Sequence, residues 1–352
     1  MTDRQAVEIV ILSGFLGSGK TTLLGEFLGG RQLLDTAVIV NEVGEIGIDA
    51  AVLNESIDGD DVLMLDNGCV CCSLRSSLVD TILRLLRMPR PVGAPPLTRI
   101  VVETSGLSKP GPIVASLRDR DLVQANLRFM VISTFDCSRV DDSAYYASEA
   151  LAQWAASHRV VLTKLDSITD DATKMHIAVR VAAISPLAQI ISGLDRCDVV
   201  RRAFAPLQET MHPWFDSIDI EAEPSTVQAT AHADVLVLKA ETETPVDWDE
   251  FAAWVDDLAG LCGERLLRLK ALLWVKDVSQ QVLLQSVGTT FSAPVQLKQS
   301  TASMTKSVLI VIVRQMTIDE FQRHLPDSPT GLSLFAVPSR RTRRVFDVPI
   351  VQ

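Results

Sequence analysis

The sequence predicts an α/β protein: a first domain built on a mainly parallel sheet, followed by a smaller α+β domain. Three observations carry this expectation. Over about two hundred N-terminal residues, apolar strand-like runs alternate with amphipathic helical runs, as a parallel sheet with crossover helices requires. A glycine-rich loop of recognisable pattern joins the first such strand to the first such helix. The composition then breaks near Pro206, where prolines, acids and small polar residues replace the alternation.

The first strand is Val7 to Leu12, rich in the β-branched residues Val7, Ile9, Val10 and Ile11. Gly14-Phe15-Leu16-Gly17-Ser18-Gly19-Lys20-Thr21 follows and fits G-x-x-x-x-G-K-[ST], and the helical run Thr21 to Leu28 begins without a break. Glycines let the backbone curl so that successive N–H groups face a phosphate, and the helix N-terminus adds its positive dipole end. Gly14, Gly17, Ser18, Gly19, Lys20, Thr21 and Thr22 are therefore the expected cradle of a nucleoside triphosphate. Lys20 is expected on the β- and γ-phosphates and the Thr21 hydroxyl on Mg²⁺.

Further strands are expected at Thr36 to Val40, Val62 to Leu65, Arg99 to Thr104, Leu127 to Phe135, Val160 to Thr163 and Gln189 to Ile191. Ser73 to Arg87 reads as a helix with Leu74, Leu78, Ile82 and Leu85 on one face, ended by the proline-rich surface connection Met88 to Pro96. The first domain is placed at residues 1–205, a linker at 206–233 and the second domain at 234–352. In that second domain, strands are expected at Val235 to Lys239, Leu266 to Val275, Gln281 to Val287 and Ser307 to Arg314. Helices at Asp247 to Leu261 and near Thr317 to Leu325 would cover one face of a mixed or antiparallel sheet, with Trp248, Trp254 and Trp274 as core and rim.

Two strand ends carry further chemistry. Glu103 closes the strand Arg99 to Thr104, and Gly106 follows three residues later. In P-loop hydrolases an acid at this tip supports Mg²⁺ and the glycine N–H meets the γ-phosphate. Leu107 stands where Ras-like enzymes orient a water with Gln, so unaided hydrolysis is expected to be slow. Thr163-Lys164-Leu165-Asp166 closes another strand. A carboxylate at Asp166 can accept both N1–H and N2–H₂ of guanine, which adenine does not offer, while Lys164 packs along the base.

Gly68-Cys69-Val70-Cys71-Cys72 gathers half of the chain's 6 cysteines into four positions. The polar N-terminus and the lack of a membrane-length apolar stretch lead us to expect a cytoplasmic protein, where clustered thiols bind metal or do redox work. Metal binding is the favoured reading, with redox chemistry and inert packing as alternatives. Thiolates suit zinc or copper(I) and, less readily, cobalt and nickel. Cys137, Cys197 and Cys262 stand alone in apolar contexts and are read as small core residues. The net charge of −11 argues against nucleic-acid or anionic-membrane partners, and Arg340, Arg341, Arg343 and Arg344 read as a solvated terminal face.

Taken together, Ser13 to Leu24, Asn41-Glu42-Val43-Gly44-Glu45-Ile46-Gly47-Ile48-Asp49, Gly68 to Arg75 and Glu103 to Gly106 resemble the CobW-like metallochaperone GTPases, relatives of UreG and HypB. Leu266 to Lys270 with Gln285 to Gly288 is similar to that family's C-terminal domain. The resemblance implies a P-loop GTPase domain with Lys20, Thr21 and Glu103 as catalytic residues, and Gly106, Thr163, Lys164 and Asp166 joining the loop in holding GTP. It implies that Asn41 to Asp49 is a first nucleotide-responsive switch and Glu103 to Gly106 a second. It further implies that Glu42 is a candidate fourth ligand beside Cys69, Cys71 and Cys72, with Zn²⁺ or Co²⁺ passed to a client metalloprotein. A homodimer is left open. The histidines are scattered, which argues against metal storage, and His158 stands where many relatives have Asp. The competing readings are a P-loop phosphotransferase and a nucleotide-dependent metal sensor.

Overall fold

The computed structural model describes residues 6–29, 35–40, 62–64, 75–89, 93, 95–123, 125–207, 235–297, 306–325 and 334–336. It divides into two compact units, the first holding residues up to Val181 and Ala188–Leu207, the second the rest.

The first unit is a sheet of seven strands: β1 (Val7–Gly14), β2 (Thr36–Val40), β3 (Val62–Met64), β4 (Arg99–Glu103), β5 (Leu127–Asp136), β6 (Arg159–Thr163) and β7 (Gln189–Ile191). Their order is β3-β2-β4-β1-β5-β6-β7, and every neighbouring pair is parallel. The helices are α1 (Lys20–Gly29), α2 (Arg75–Arg87), α3 (Pro110–Ser116), α4 (Arg120–Val123), α5 (Ser148–Ala155), α6 (Asp171–Ile184) and α7 (Arg196–Ala203). β1 lies between β4 and β5, and its Ile9, Val10, Ile11 and Leu12 are fully buried. A strand covered on both faces must be continuously apolar, which is why these strands show no alternation. On one face Val10, Leu12, Val101, Met130, Ile132 and Val161 pack with Leu23, Leu24 and Phe27 of α1 and with Val199 and Ala203 of α7. Phe27 stacks on Phe204 with ring centroids 3.9 Å apart.

The end of this unit is tied down by charge. Arg159, buried at the start of β6, donates to the Ala203 carbonyl at 2.9 Å, to that of Ala205, and to that of Pro206 at 3.3 Å. Its guanidinium thus satisfies carbonyls that the end of α7 would otherwise leave orphaned. Glu8 of β1 takes the Leu207 N–H at 3.3 Å and pairs with Arg99 at 2.8 Å. His158 also receives a physical role. Its Nδ1 accepts the Val131 N–H at 3.0 Å while its own N–H donates to the Val131 carbonyl at 2.8 Å, so the ring extends the β5–β6 ladder by one bond. A carboxylate could accept the same N–H, which accounts for a His where the resemblance leads one to expect Asp.

The second unit is antiparallel: β8 (Val235–Thr242), β9 (Leu266–Leu273), β10 (Val282–Val287), β11 (Thr290–Phe291), β12 (Val295–Gln296), β13 (Ser307–Arg314) and β14 (Phe335–Ala336), in the order β11-β10-β9-β13-β8-β14 with β12 on β10. α8 (Trp248–Cys262) starts where the Asp247 carboxylate accepts the Asp249 and Glu250 N–H groups, and Thr317 caps α9 (Ile318–His324) in the same way through Glu320. Phe251, Trp254, Val255 and Leu258 of α8 and Phe321 of α9 pack on Leu238, Ala240, Leu269, Ala271, Leu309 and Val311. Both helices therefore cover one face, as the sequence predicts, and Trp248 sits at the rim of that core.

One expectation fails. Cys137 and Cys262 are buried, but Cys197 is exposed in the first turn of α7. That helix turns Val199 and Ala203 inward, and a residue two positions before Val199 lies on the opposite side. Among the described residues, no helix is long and apolar enough to cross a membrane.

Arg268 and Lys270 share the face of β9 that α8 and α9 leave, and burial pushes them down to about 9 and about 7. For Lys270, burial is the main cause and the Arg268 charge adds to it. A base whose pKa falls on folding binds its proton more readily when unfolded, so it lowers stability below about 7. That loss disappears as the pH rises toward 10.5, the ordinary value. Lys270→Met should therefore raise the thermal midpoint by on the order of a few degrees at pH 6, with the gain vanishing near pH 10. A pH-independent difference would contradict this.

Candidate functional site

The C-terminal tips of β1, β4, β5 and β6 meet at one edge of the first unit. Gly14 ends β1 with φ +142°, and a Cβ there would stand 2.1 Å from the Thr134 hydroxyl of β5. Only a glycine lets the loop leave the sheet so close to its neighbour. Gly17 and Gly19 also have positive φ, +71° and +90°. The Ser18 hydroxyl lies 2.6 Å from both the Phe15 carbonyl and the Thr134 hydroxyl. Lys20, the first residue of α1, donates to the carbonyls of Gly14 at 2.9 Å and Phe15 at 3.3 Å. The first turn of α1 carries no acid, so its positive dipole end is not neutralised from within. Thr22 is exposed in that turn.

Thr21 and Glu103 meet directly. The Thr21 hydroxyl donates to Glu103 Oε1 at 2.6 Å, and Glu103, at the tip of β4, is only 4% exposed. The chain then turns so that Gly106 lies against the loop: a Cβ on it would come 2.7 Å from the Leu16 nitrogen. On the other flank, the Thr163 hydroxyl is 2.8 Å from the Ser18 carbonyl and 3.0 Å from that of Phe135. It joins β6, β5 and the loop at one point. Lys164 adopts φ +53°, and its ammonium pairs with Asp136 at 2.6 Å. Asp136, only 1% exposed, also accepts the N–H and hydroxyl of Ser138 at 3.0 and 2.6 Å. Asp166 is exposed in the short turn that follows. Beside Asp136, burial first and that carboxylate's charge second push the Cys137 thiol up to about 12, so it is held protonated and inert.

The structure thus gathers Gly14, Gly17, Ser18, Gly19, Lys20, Thr21, Thr22, Glu103, Gly106, Thr163, Lys164 and Asp166 along one edge. Cys69, Cys71, Cys72, Glu42 and the stretch Asn41 to Asp49 lie outside the described residues. Among the described residues, no three His, Cys, Asp or Glu side chains gather to hold an ion. Sequence reasoning passed over Thr134, Asp136 and Gln153. Gln153, a fully buried residue of α5, donates to the Gly106 and Ser108 carbonyls, both at 2.9 Å. The one available signal was a lone amide inside the apolar run Leu151-Ala152-Gln153-Trp154-Ala155.

The model of the CobW/HypB/UreG nucleotide-binding domain matches residues 8–192, and that of the cobalamin synthesis protein CobW C-terminal domain matches residues 237–328. The zinc chaperone YjiA of Escherichia coli is 30% identical over 294 residues, which are 82% of this chain and 88% of that one. The zinc chaperone CobW of a Sinorhizobium species is 26% identical over 320 residues, covering 80% and 85%. The zinc-regulated GTPase metalloprotein activator 1 of Schizosaccharomyces pombe is 29% identical over 191 residues, covering 53% and 45%. In fold, the chain is similar to the crystal structure of the Zn(II)-bound YjiA GTPase from E. coli, with a TM-score of 0.59 at 24% identity, over 92% of this chain and all of that one.

The close approach at Gly106 is testable without any ligand. Gly106→Ala places a methyl where the Leu16 backbone already stands, so one segment must shift. The expected loss of unfolding free energy is about 1–3 kcal/mol, measured by denaturant titration. A variant as stable as the unmodified chain would show that the loop does not press on Leu16.

Proposed function

Because the chain belongs to the CobW/HypB/UreG family of nucleotide-binding proteins and carries the CobW C-terminal domain, we propose that it is a slow, Mg²⁺-dependent GTP hydrolase that acts as a zinc chaperone. The observation that carries the reading is the Thr21–Glu103 pair, set beside a glycine-rich loop that opens a helix. Its two oxygens are hard donors of the kind Mg²⁺ prefers, so the residues fit the ion. Thr21 and Glu103 would hold Mg²⁺, which when bound neutralises charge on the β- and γ-phosphate oxygens.

The protein's own groups divide the remaining work. Lys20 leaves the Gly14 and Phe15 carbonyls and places its ammonium on the phosphates. The Gly106 N–H meets the γ-phosphate, while Glu103, at the tip of β4, would act on the phosphates only through the Mg²⁺ it supports. Asp166 accepts the guanine N1–H and N2–H₂, while the Lys164 stem lies along the base with its head held by Asp136. Leu107 offers no amide to orient water, which keeps turnover slow.

Zinc is the cargo. Cys69, Cys71 and Cys72 would bind it as thiolates, with Glu42 as fourth ligand, and cobalt is the alternative ion. Three sulfurs with a weaker fourth position suit release to a client metalloprotein, because an incoming client ligand can take that position. The zinc chaperone relatives support this cargo.

Two experiments test the reading. Phosphate release with GTP and with ATP should favour guanine; Lys20→Ala should abolish triphosphate binding, and Asp166→Ala should relax the base preference. Equal turnover of ATP and GTP by the unmodified protein would remove the guanine assignment. Competitive zinc titration should show that the triple variant Cys69→Ser, Cys71→Ser, Cys72→Ser loses high-affinity zinc and keeps its thermal midpoint. Zinc affinity equal to that of the unmodified chain would remove the metal assignment.

A further inference from the structure

We propose that Gln153 is the positioning residue that holds the loop of Glu103 to Ser108 ready for the γ-phosphate. The inference rests on the nucleotide reading above and assigns a role to a residue that touches no nucleotide.

The geometry is specific. Gln153 Nε2 has two hydrogens and two acceptors, the Gly106 and Ser108 carbonyls, each 2.9 Å away. They flank Leu107, so one amide grips the loop on both sides of the residue that follows the glycine. The orientation of the amide is forced, since an oxygen in place of Nε2 would face two carbonyls. Oε1, on the other side, is buried with no hydrogen-bond partner. A buried orphan acceptor is unfavourable, so the side chain satisfies the loop at its own expense.

The mount for this amide is rigid. The Gln153 carbonyl accepts the hydroxyls of Ser133 at 3.0 Å and Ser157 at 2.7 Å. Next to it, Trp154 donates its indole N–H to the Thr134 carbonyl at 3.1 Å. Thr134 is the residue whose hydroxyl meets Ser18 in the phosphate loop. One turn of α5 therefore fixes the second switch and the floor of the phosphate loop to the same strand. The Glu103 end of the switch is held by Thr21 and the Ser108 end by Gln153, with Gly106 between them.

Without Nε2 the two carbonyls must find water, and the loop is drawn away from Leu16. The Gly106 N–H is then no longer preset toward the γ-phosphate. GDP, held by the phosphate loop and by Thr163 to Asp166, does not depend on that N–H.

The test uses the full chain and fluorescent GDP and non-hydrolysable GTP analogues, with affinities measured in Mg²⁺ buffer alongside kcat for GTP. In Gln153→Leu, which removes the donors, and Gln153→Glu, which presents oxygen to the two carbonyls, GDP affinity should stay within about twofold. Affinity for the GTP analogue should fall at least about fivefold and kcat about tenfold. Ser116→Ala is the control: it removes a buried hydroxyl that donates to the Ile113 carbonyl within α3 at 2.7 Å, so it should lower the thermal midpoint and leave the ratio of the two affinities unchanged. Should Gln153→Leu fail to fold, Gln153→Asn, one methylene too short to span both carbonyls, should show the same split. Equal losses of GDP and analogue affinity in the Gln153 variants, or no loss in either, would overturn the positioning role. An unmodified protein that binds neither nucleotide would instead overturn the nucleotide reading, and this role with it.

Discussion

The hydrogen bond from Thr21 to Glu103 ties the first turn of α1 to the tip of β4, and the candidate nucleotide site is arranged around it. It can form only because β4 lies beside β1 in a parallel pair, with Leu12 opposite Glu103, so that both strands end at the same edge. The loop after β1 then brings the first turn of α1 over the end of β4. On the other side of β1, β5 puts Thr134 opposite Gly14, which forces glycine at the start of the loop. In open α/β sheets the crevice at the carboxyl ends of the strands is where ligands bind, and here that crevice is lined by the loop itself.

Around this contact the protein places buried polar groups that an apolar core of the same size would not need. Thr163, Asp136, Ser18 and Gln153 are all nearly or fully inaccessible, and each holds backbone or side-chain groups from a different segment. A buried hydrogen bond contributes about 1 kcal/mol net, while a lost partner costs about 1–3 kcal/mol. Such a network adds little to stability and penalises every alternative arrangement. It fixes one geometry for the phosphate loop, the strand tip bearing Glu103 and the turn bearing Asp166.

Much of this was legible in the sequence, for a physical reason. Parallel strands buried on both faces are uninterrupted apolar runs, so β1, β2, β4, β5, β6 and β7 stand out from the polar segments between them. The phosphate loop is local, and its spacing encodes its shape. What sequence could not show are contacts between distant segments. Thr163 was read as part of a base-recognition motif, yet its hydroxyl reaches back across 145 positions to the Ser18 carbonyl. Gln153 reaches Gly106 across 47 positions, and nothing in a short window announces that. Cys197 was misplaced because an apolar neighbourhood does not say which side of a helix a residue occupies. The bond from the Val131 N–H to the His158 ring is likewise a contact between distant segments, made across 27 positions.

We propose that the nucleotide site and the metal site are coupled, so that nucleotide state would set how tightly the metal is held. Glu103 to Gly106 and Asn41 to Asp49 flank the cysteine cluster in sequence, and both would respond to the γ-phosphate. Linkage requires that the nucleotide and the metal change each other's affinity by the same factor. The decisive measurement is the Zn²⁺ dissociation constant of the full chain, taken once with Mg²⁺ and GDP and once with Mg²⁺ and a non-hydrolysable GTP analogue. The account predicts values that differ at least several-fold. Identical constants would mean two independent sites in one protein and would contradict it.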